Sequence, residues 1–336
     1  MPFNALFPDD RAVDMRSSDH RSPLVHHRTR RRWLGLAAAA AALGPVAWSG
    51  SGLVATARAA GAPLMRRIPS TGEAMPVIGL GSWITFNVGN DAAARDACTD
   101  VVRAFFADGG RMIDSSPMYG SSQATIGHAL AQIGRPATLF SAEKVWVGDI
   151  ARGAAQMEAS RAHWGVQRFD LMQVHNLVAW QGHLPRLFEM KAAGRLRYVG
   201  ITTSEGRRHA EIEQVMRTQP IDFVQVTYNL LDREVEQRIL PLAQERGIAV
   251  IVNRPFREGA LLRQLARHRL PAWAAEIDSE AWAQVALKFV VTHPAVTCTI
   301  PATSQLAHVR QNMAAARGRM PDAALRARMA RDVASL

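Results

Sequence analysis

Gly79-Leu80-Gly81-Ser82-Trp83 ends the first apolar run of the repetitive part of the chain, and how that segment is read decides the fold. An open doubly wound sheet normally follows its first strand with Gly-x-Gly-x-x-Gly and enters a helix at once. Here the third glycine is missing, because Ile84 stands in its place, and the next amphipathic segment begins only at residue 92. Working outward, short apolar runs at 77–81, 111–114, 138–144, 169–175, 197–202, 223–228, 249–253 and 296–300 read as strands. Segments at 92–107, 122–132, 150–164, 184–193, 205–217, 235–246, 279–292 and 305–315 carry apolar residues at helical spacing, as in Val235, Ile239, Leu240 and Ala243. Strict strand–helix alternation implies a parallel sheet, and eight units of this length close into a (β/α)8 TIM barrel. Upstream, two short runs flank Ser70-Thr71-Gly72, the pattern of an N-terminal β-hairpin plugging the barrel bottom.

Residues 1–59 do not share this alternation. They contain Thr29-Arg30-Arg31-Arg32-Trp33-Leu34-Gly35 followed by an Ala/Leu run from Leu36 to Leu43. A paired-Arg start, a moderate apolar core and Ala-x-Ala sites are the parts of a secretory signal. Gly44-Pro45 ends the run well short of the roughly 20 apolar residues of a membrane span. The segment resembles a twin-arginine export signal, with Gly35 where Lys is frequent. The expectation is transient engagement of the twin-arginine export machinery, cleavage after Ala59 with Ala57 as the alternative, and a periplasmic product of residues 60–336.

The formal charge of +11 does not indicate a polyanionic partner. Residues 1–59 carry eight Arg and four Asp, +4 of the total, and the remaining basic residues are scattered Arg without interleaved aromatics. That distribution excludes a nucleic-acid face. Cys98 and Cys298 form no pattern from which a disulfide framework or a thiolate metal site follows, and the dispersed His residues suggest no metal centre.

Barrel chemistry sits at the C-terminal ends of strands. Asp114 ends the second run, Tyr119 follows in Asp114-Ser115-Ser116-Pro117-Met118-Tyr119-Gly120, Lys144 ends the third, and His175 ends the fourth. Only three of the 40 basic residues are Lys: Lys144, Lys191 and Lys288. A Lys inside an apolar strand end needs an anion such as Asp114. Its compact charge, placed near a phenol, favours phenolate and is expected to lower the Tyr119 pKa from about 10. A phenol tuned in this way can give a proton to a developing alkoxide or take one from an alcohol.

These residues, with Lys144-Val145-Trp146, the run into His175-Asn176, Val199-Gly200-Ile201-Thr202 and Gln225-Val226-Thr227-Tyr228-Asn229 in that order, resemble the aldo/keto reductase family over residues 66–315. The resemblance implies hydride transfer between a nicotinamide cofactor and a carbonyl or alcohol substrate. In it Tyr119 is the general acid, Lys144 tunes it, Asp114 partners the Lys, and His175 orients the carbonyl. It places the nicotinamide carboxamide against Thr202, Thr203 and Gln225, where many relatives have Ser-Asn for the Thr pair. It puts Asn253, followed by Arg254, where a stacking Tyr is common, with Phe256 as a substitute. The phosphate and adenosine end falls on Thr303, Ser304 and the following helix with His308 and Asn312. Ala302 and His308 stand where NADP-preferring relatives place basic residues, Arg310 is a partial replacement, and NADP is expected first with NAD as the alternative. Trp83 and Trp146 are placed to line a broad apolar substrate mouth. Two rival readings stay open: a non-catalytic ligand-binding barrel, and a Schiff-base lyase using Lys144.

Overall fold

The computed structural model describes residues 61–336. The expected export signal lies outside the described residues. The chain begins with an antiparallel hairpin, β1 (Met65–Arg67) against β2 (Ala74–Pro76), with Met65 opposite Pro76. Gly72 takes φ +73 in its turn, a conformation only glycine adopts freely. Ile68 and Met75 from this hairpin are fully buried with Met112, Phe140, Leu171, Tyr198 and Phe223, so the hairpin seals the barrel bottom as expected.

Eight parallel strands follow: β3 (Leu80–Gly81), β4 (Met112–Asp114), β5 (Phe140–Val145), β6 (Phe169–Val174), β7 (Leu196–Thr202), β8 (Phe223–Thr227), β9 (Ala249–Asn253) and β10 (Val296–Thr299). Each pairs with its sequence neighbour. The ends meet through Gly79 N–H to Thr299 O (2.8 Å), Thr299 N–H to Val77 O (2.9 Å) and Gly81 N–H to Pro301 O (3.1 Å). A Cβ on Gly81 would lie 2.6 Å from the Ile300 carbonyl oxygen. Gly81 is therefore required by the close approach of the first and last strands, and the barrel closes where the sequence lacks a dinucleotide turn.

The outer layer comprises α1 (Ala92–Ala107), α2 (Ser122–Gln132), α3 (Ile150–Trp164), α4 (Trp180–Ala192), α5 (His209–Thr218), α6 (Ile239–Arg246), α7 (Ala260–Leu265), α8 (Trp282–Val291), α9 (Leu306–Ala314) and α10 (Ala323–Ala334). Asp91 and Asp149 cap α1 and α3 by accepting from Ala94 N–H and Ala151 N–H. The fifth helix starts at His209 rather than at 205. Glu205 and Arg208 take φ +60 and +56, and Thr203 Oγ1 donates to Arg207 O (2.7 Å), so the segment becomes a loop over the barrel mouth. The stretch after β9, which the strand and helix patterns of the sequence leave without an element, carries α7 and a 3₁₀ segment, Ala272–Ile277. Among the described residues no helix is long and apolar enough to cross a membrane.

Candidate active site

Alternation along the strands determines which side chains enter the barrel. On β5, Phe140, Ala142 and Lys144 point inward, while Glu143 points outward toward α2 and α3, where Gln123 and Trp164 reach it. Lys144 is fully buried. Its ammonium donates to Asp114 Oδ1 in a very short contact and to Ser115 O at 2.7 Å. Asp114 Oδ2 accepts from Gln173 Nε2 (3.1 Å) and Gln225 Nε2 (3.0 Å). The carboxylate is thus held by one cation and two amides. Burial opposes the Lys144 charge, but Asp114, with Tyr119 and Glu143, holds its pKa above the ordinary range.

The Lys144 ammonium lies 5.2 Å from the centroid of the Tyr119 ring. Tyr119 sits between Trp83, at 4.9 Å between centroids, and His175, edge-on at 5.7 Å. The expected lowering of the Tyr119 pKa is not the net result. Burial pushes the phenol above its ordinary value, and the charge and hydrogen bond of Lys144 only pull part of the way back. At rest the group is a protonated acid that Lys144 makes easier to ionise. His175, buried with Lys144 nearby, is pushed down to about 3 and is neutral near pH 7. Its Nδ1 pairs with Ser116 Oγ at 2.8 Å.

These groups open on a cavity of about 450 Å³ that runs along the strand ends. Its lining includes Trp83, Tyr119 and His175, then Thr202, Thr203, Gln225 and Asn253. Thr303, His308 and Asn312 also line it, beside the first turn of α9, which has no side-chain cap. Asn253 donates to Thr203 O (2.8 Å) and accepts from Thr227 Oγ1 (2.7 Å), so the residue in the stacking position is instead tied into the wall. Ser304 and Trp146 do not line the cavity. Ser304 lies just past the buried Thr303, and Trp146 is exposed, with its ring 6.4 Å from His175. Arg254 bridges Glu205 (2.8 Å) and Glu258 (2.6 Å), and Glu258 accepts from Trp83 Nε1 (3.2 Å), linking the loops after β3, β7 and β9.

The residues fit a nicotinamide dinucleotide. Two buried or half-buried amides and two Thr hydroxyls lie next to the proton-transfer groups, and an uncapped helix N-terminus suits a phosphate further along. Arg207 and Arg254 line the cavity, both paired with Glu205, whereas Arg310 does not.

Several contributors were not read from the sequence. Gln173 has the same strand parity as His175, so its inward direction was there to be found. Glu143 is fully buried and accepts from Gln123 Nε2 (2.9 Å), Trp164 Nε1 (2.8 Å) and Lys144 N–H (2.9 Å). Burial moves its pKa up to about 7 against those donors. Ser116, Glu205 and Glu258 act through tertiary contacts that no local spacing reveals. No group of three or more His, Cys, Asp or Glu that could hold a metal occurs among the described residues.

Residues 77–327 match the sequence model of the aldo/keto reductase family. The chain belongs to the aldo/keto reductase family. It is accordingly an NAD(P)-dependent oxidoreductase. A methylglyoxal reductase of Escherichia coli is 26% identical over 245 residues, 71% of this chain and 85% of that protein. A second, NADH-specific methylglyoxal reductase of Escherichia coli is 26% identical over 246 residues, 62% of this chain and 73% of its own. Among solved structures, an aldo/keto reductase from Klebsiella pneumoniae in complex with NADP and acetate superposes with a TM-score of 0.66 at 24% identity. That alignment covers 78% of this chain and 93% of the other, and it supports the fold.

Proposed function

We propose that this aldo/keto reductase interconverts an uncharged carbonyl compound and its alcohol, with Tyr119 exchanging the proton. The observation that carries the reading is the buried Lys144–Asp114 pair set 5.2 Å from the ring of a cavity-facing Tyr119 beside a neutral His175. Bound nicotinamide supplies or takes the hydride. His175 receives the carbonyl oxygen and aims it at the phenol. Tyr119 then gives its proton to the oxygen as negative charge develops there, and Lys144 stabilises the phenolate left behind. Asp114 keeps Lys144 charged, which disfavours the lyase reading, since a Schiff-base Lys must be neutral.

Thr202, Thr203, Gln225 and Asn253 are assigned to the carboxamide end of the cofactor. Thr303, His308, Asn312 and the start of α9 are assigned to its phosphates and adenosine, with Arg254 on the cavity wall. The expected contact from the Ser304 side chain is dropped because it does not line the cavity. NADP remains the first cofactor to test, in keeping with the NADP complex of the Klebsiella relative. NAD is the alternative, in keeping with the NADH-specific relative. Trp83, Ile84, Met118 and Phe256 make the substrate end apolar. Both Escherichia coli relatives are named for methylglyoxal, so small 2-oxoaldehydes head the substrate panel, followed by larger aldehydes and quinones. The assay is consumption of NADPH and NADH by the purified chain against that panel. Absence of turnover with every carbonyl, together with tight cofactor binding, favours the ligand-binding reading instead.

The site of action is proposed to be the periplasm, on the strength of Thr29-Arg30-Arg31-Arg32-Trp33-Leu34 and the Ala/Leu run that follows. Cell fractionation of the chain carrying Arg30→Lys and Arg31→Lys tests this. The wild type is expected in the periplasmic fraction without residues 1–59, and the double variant in the cytoplasm. Equal distribution of the two rejects twin-arginine export.

A further inference from the structure

Ser116 is fully buried on the loop that carries Tyr119 from β4. Its carbonyl accepts from Tyr119 N–H at 3.0 Å, and its Oγ accepts from Met118 N–H at 3.2 Å, which fixes the turn placing the phenol. The same Oγ lies 2.8 Å from His175 Nδ1, reaching across from β4 to the end of β6. A hydroxyl has one proton to give and two lone pairs to receive with. One lone pair is taken by Met118 N–H. If His175 Nδ1 carried its own proton and donated it to Ser116, the second lone pair would be filled and the Ser116 proton would need an acceptor. Among the described residues Ser116 Oγ has no third partner. A buried hydroxyl proton without an acceptor is disfavoured, so the hydroxyl must donate to Nδ1. The imidazole is neutral, because burial and the Lys144 charge push its pKa down to about 3. Its single proton is then on Nε2.

We propose that Ser116 is a positioning residue that locks His175 in the Nε2–H tautomer, so that the imidazole offers a hydrogen-bond donor to a substrate carbonyl oxygen beside Tyr119. The part concerning substrate rests on the carbonyl-reductase reading above; the tautomer follows from hydrogen bonding alone. In the opposite tautomer Nε2 would present a lone pair to the carbonyl oxygen and repel it. One hydroxyl would thereby set both the place of the acid and the polarity of its neighbour.

The test is long-range ¹H–¹⁵N correlation NMR on the full chain labelled at histidine, with His175 assigned by its loss in His175→Gln. The wild type is expected to show the Nε2–H pattern for His175 without change between about pH 5 and 8. Ser116→Ala is expected to show a mixture of tautomers. Its kcat should fall roughly fivefold to tenfold, the size of one net hydrogen bond, with the KM for cofactor unchanged. Ser116→Thr, which keeps the hydroxyl, should restore the wild-type pattern. An Nδ1–H pattern in the wild-type spectrum overturns the proposal, as does an unchanged tautomer in Ser116→Ala. If the tautomer is as expected but His175→Gln turns over carbonyls at the wild-type rate, the lock stands and the role assigned to His175 in the reaction falls.

Discussion

Replacing Asp114 by Asn tests the electrostatic centre of the barrel. Lys144 is fully buried and Asp114 nearly so, and the Lys144 ammonium otherwise has Ser115 O and the Tyr119 phenol to bond to. An Asn can present either its oxygen or its amide group to Lys144. With the oxygen toward Lys144, its amide faces the Nε2 donors of Gln173 and Gln225; reversed, the amide faces an ammonium. Either way a buried charge loses its counterion and donors face donors. Breaking a buried pair from one side costs about 3–5 kcal/mol. With a urea m-value of about 3 kcal/mol/M, the unfolding midpoint at pH 7 should drop by roughly 1–1.7 M. The sign of the pH response identifies the cause. Without Asp114, burial holds the Lys144 pKa below its unfolded value, so the unfolded chain binds more protons and stability rises with pH. The deficit should therefore narrow between pH 7 and about pH 10. A midpoint within about 0.3 M of wild type at pH 7, an energy near 1 kcal/mol at that slope, would refute the reasoning, and a pH-independent deficit would assign the loss to packing rather than charge.

Other expected outcomes concern single groups. His175 has a folded pKa of about 3 against an ordinary 6.5, so the unfolded chain binds the extra proton between those values. Its contribution to stability is full above pH 6.5 and lost as pH falls toward 3, and denaturation midpoints of His175→Gln should show a flatter slope in that window. Glu143 has the opposite sign. With its folded pKa moved up from 4.5 to about 7, its contribution is full below pH 4.5 and lost as pH rises through 7. Glu143→Gln should remove that decline, seen in midpoints at pH 5 and pH 8. Arg254→Ala leaves Glu258 without its cation and Glu205 with Arg207 alone on the cavity wall, where an anionic cofactor would meet them. The KM for NADPH should rise about tenfold, equivalent to about 1.4 kcal/mol, with kcat little changed in steady-state assays.

The barrel was legible because its strands are apolar runs of fixed length separated by helices with clear periodicity, and because Ile84 interrupts the glycine pattern an open sheet would need. The bottom hairpin was legible from Ser70-Thr71-Gly72. The four polar strand ends were legible because chain direction alone places them together at one rim. What stayed hidden depends on contacts made in three dimensions. The start of α5 moved to His209 because the preceding loop bends through positive φ at Glu205 and Arg208 and bonds across the mouth. Ser304 follows the cavity-facing Thr303, and one step along the chain turns its side chain away, whereas Trp146 shares the parity of Lys144 but lies past the end of β5, where its ring is exposed. The raised Tyr119 pKa was missed because sequence shows the neighbouring cation and not the extent of desolvation. Asn253 was visible as a departure, whereas its bonds to Thr203 and Thr227 required the folded strands.

The central claim is that Tyr119 moves the proton, and single-turnover reduction by Tyr119→Phe tests it most directly. Enzyme saturated with NADPH is mixed with the best carbonyl of the panel, and the decay of reduced cofactor is followed. The ring stays in place against Trp83 and His175, so cofactor binding should match wild type. Loss of a general acid is expected to slow the reaction by about 10²–10⁴-fold. A Tyr119→Phe rate within a factor of three of wild type would contradict the account.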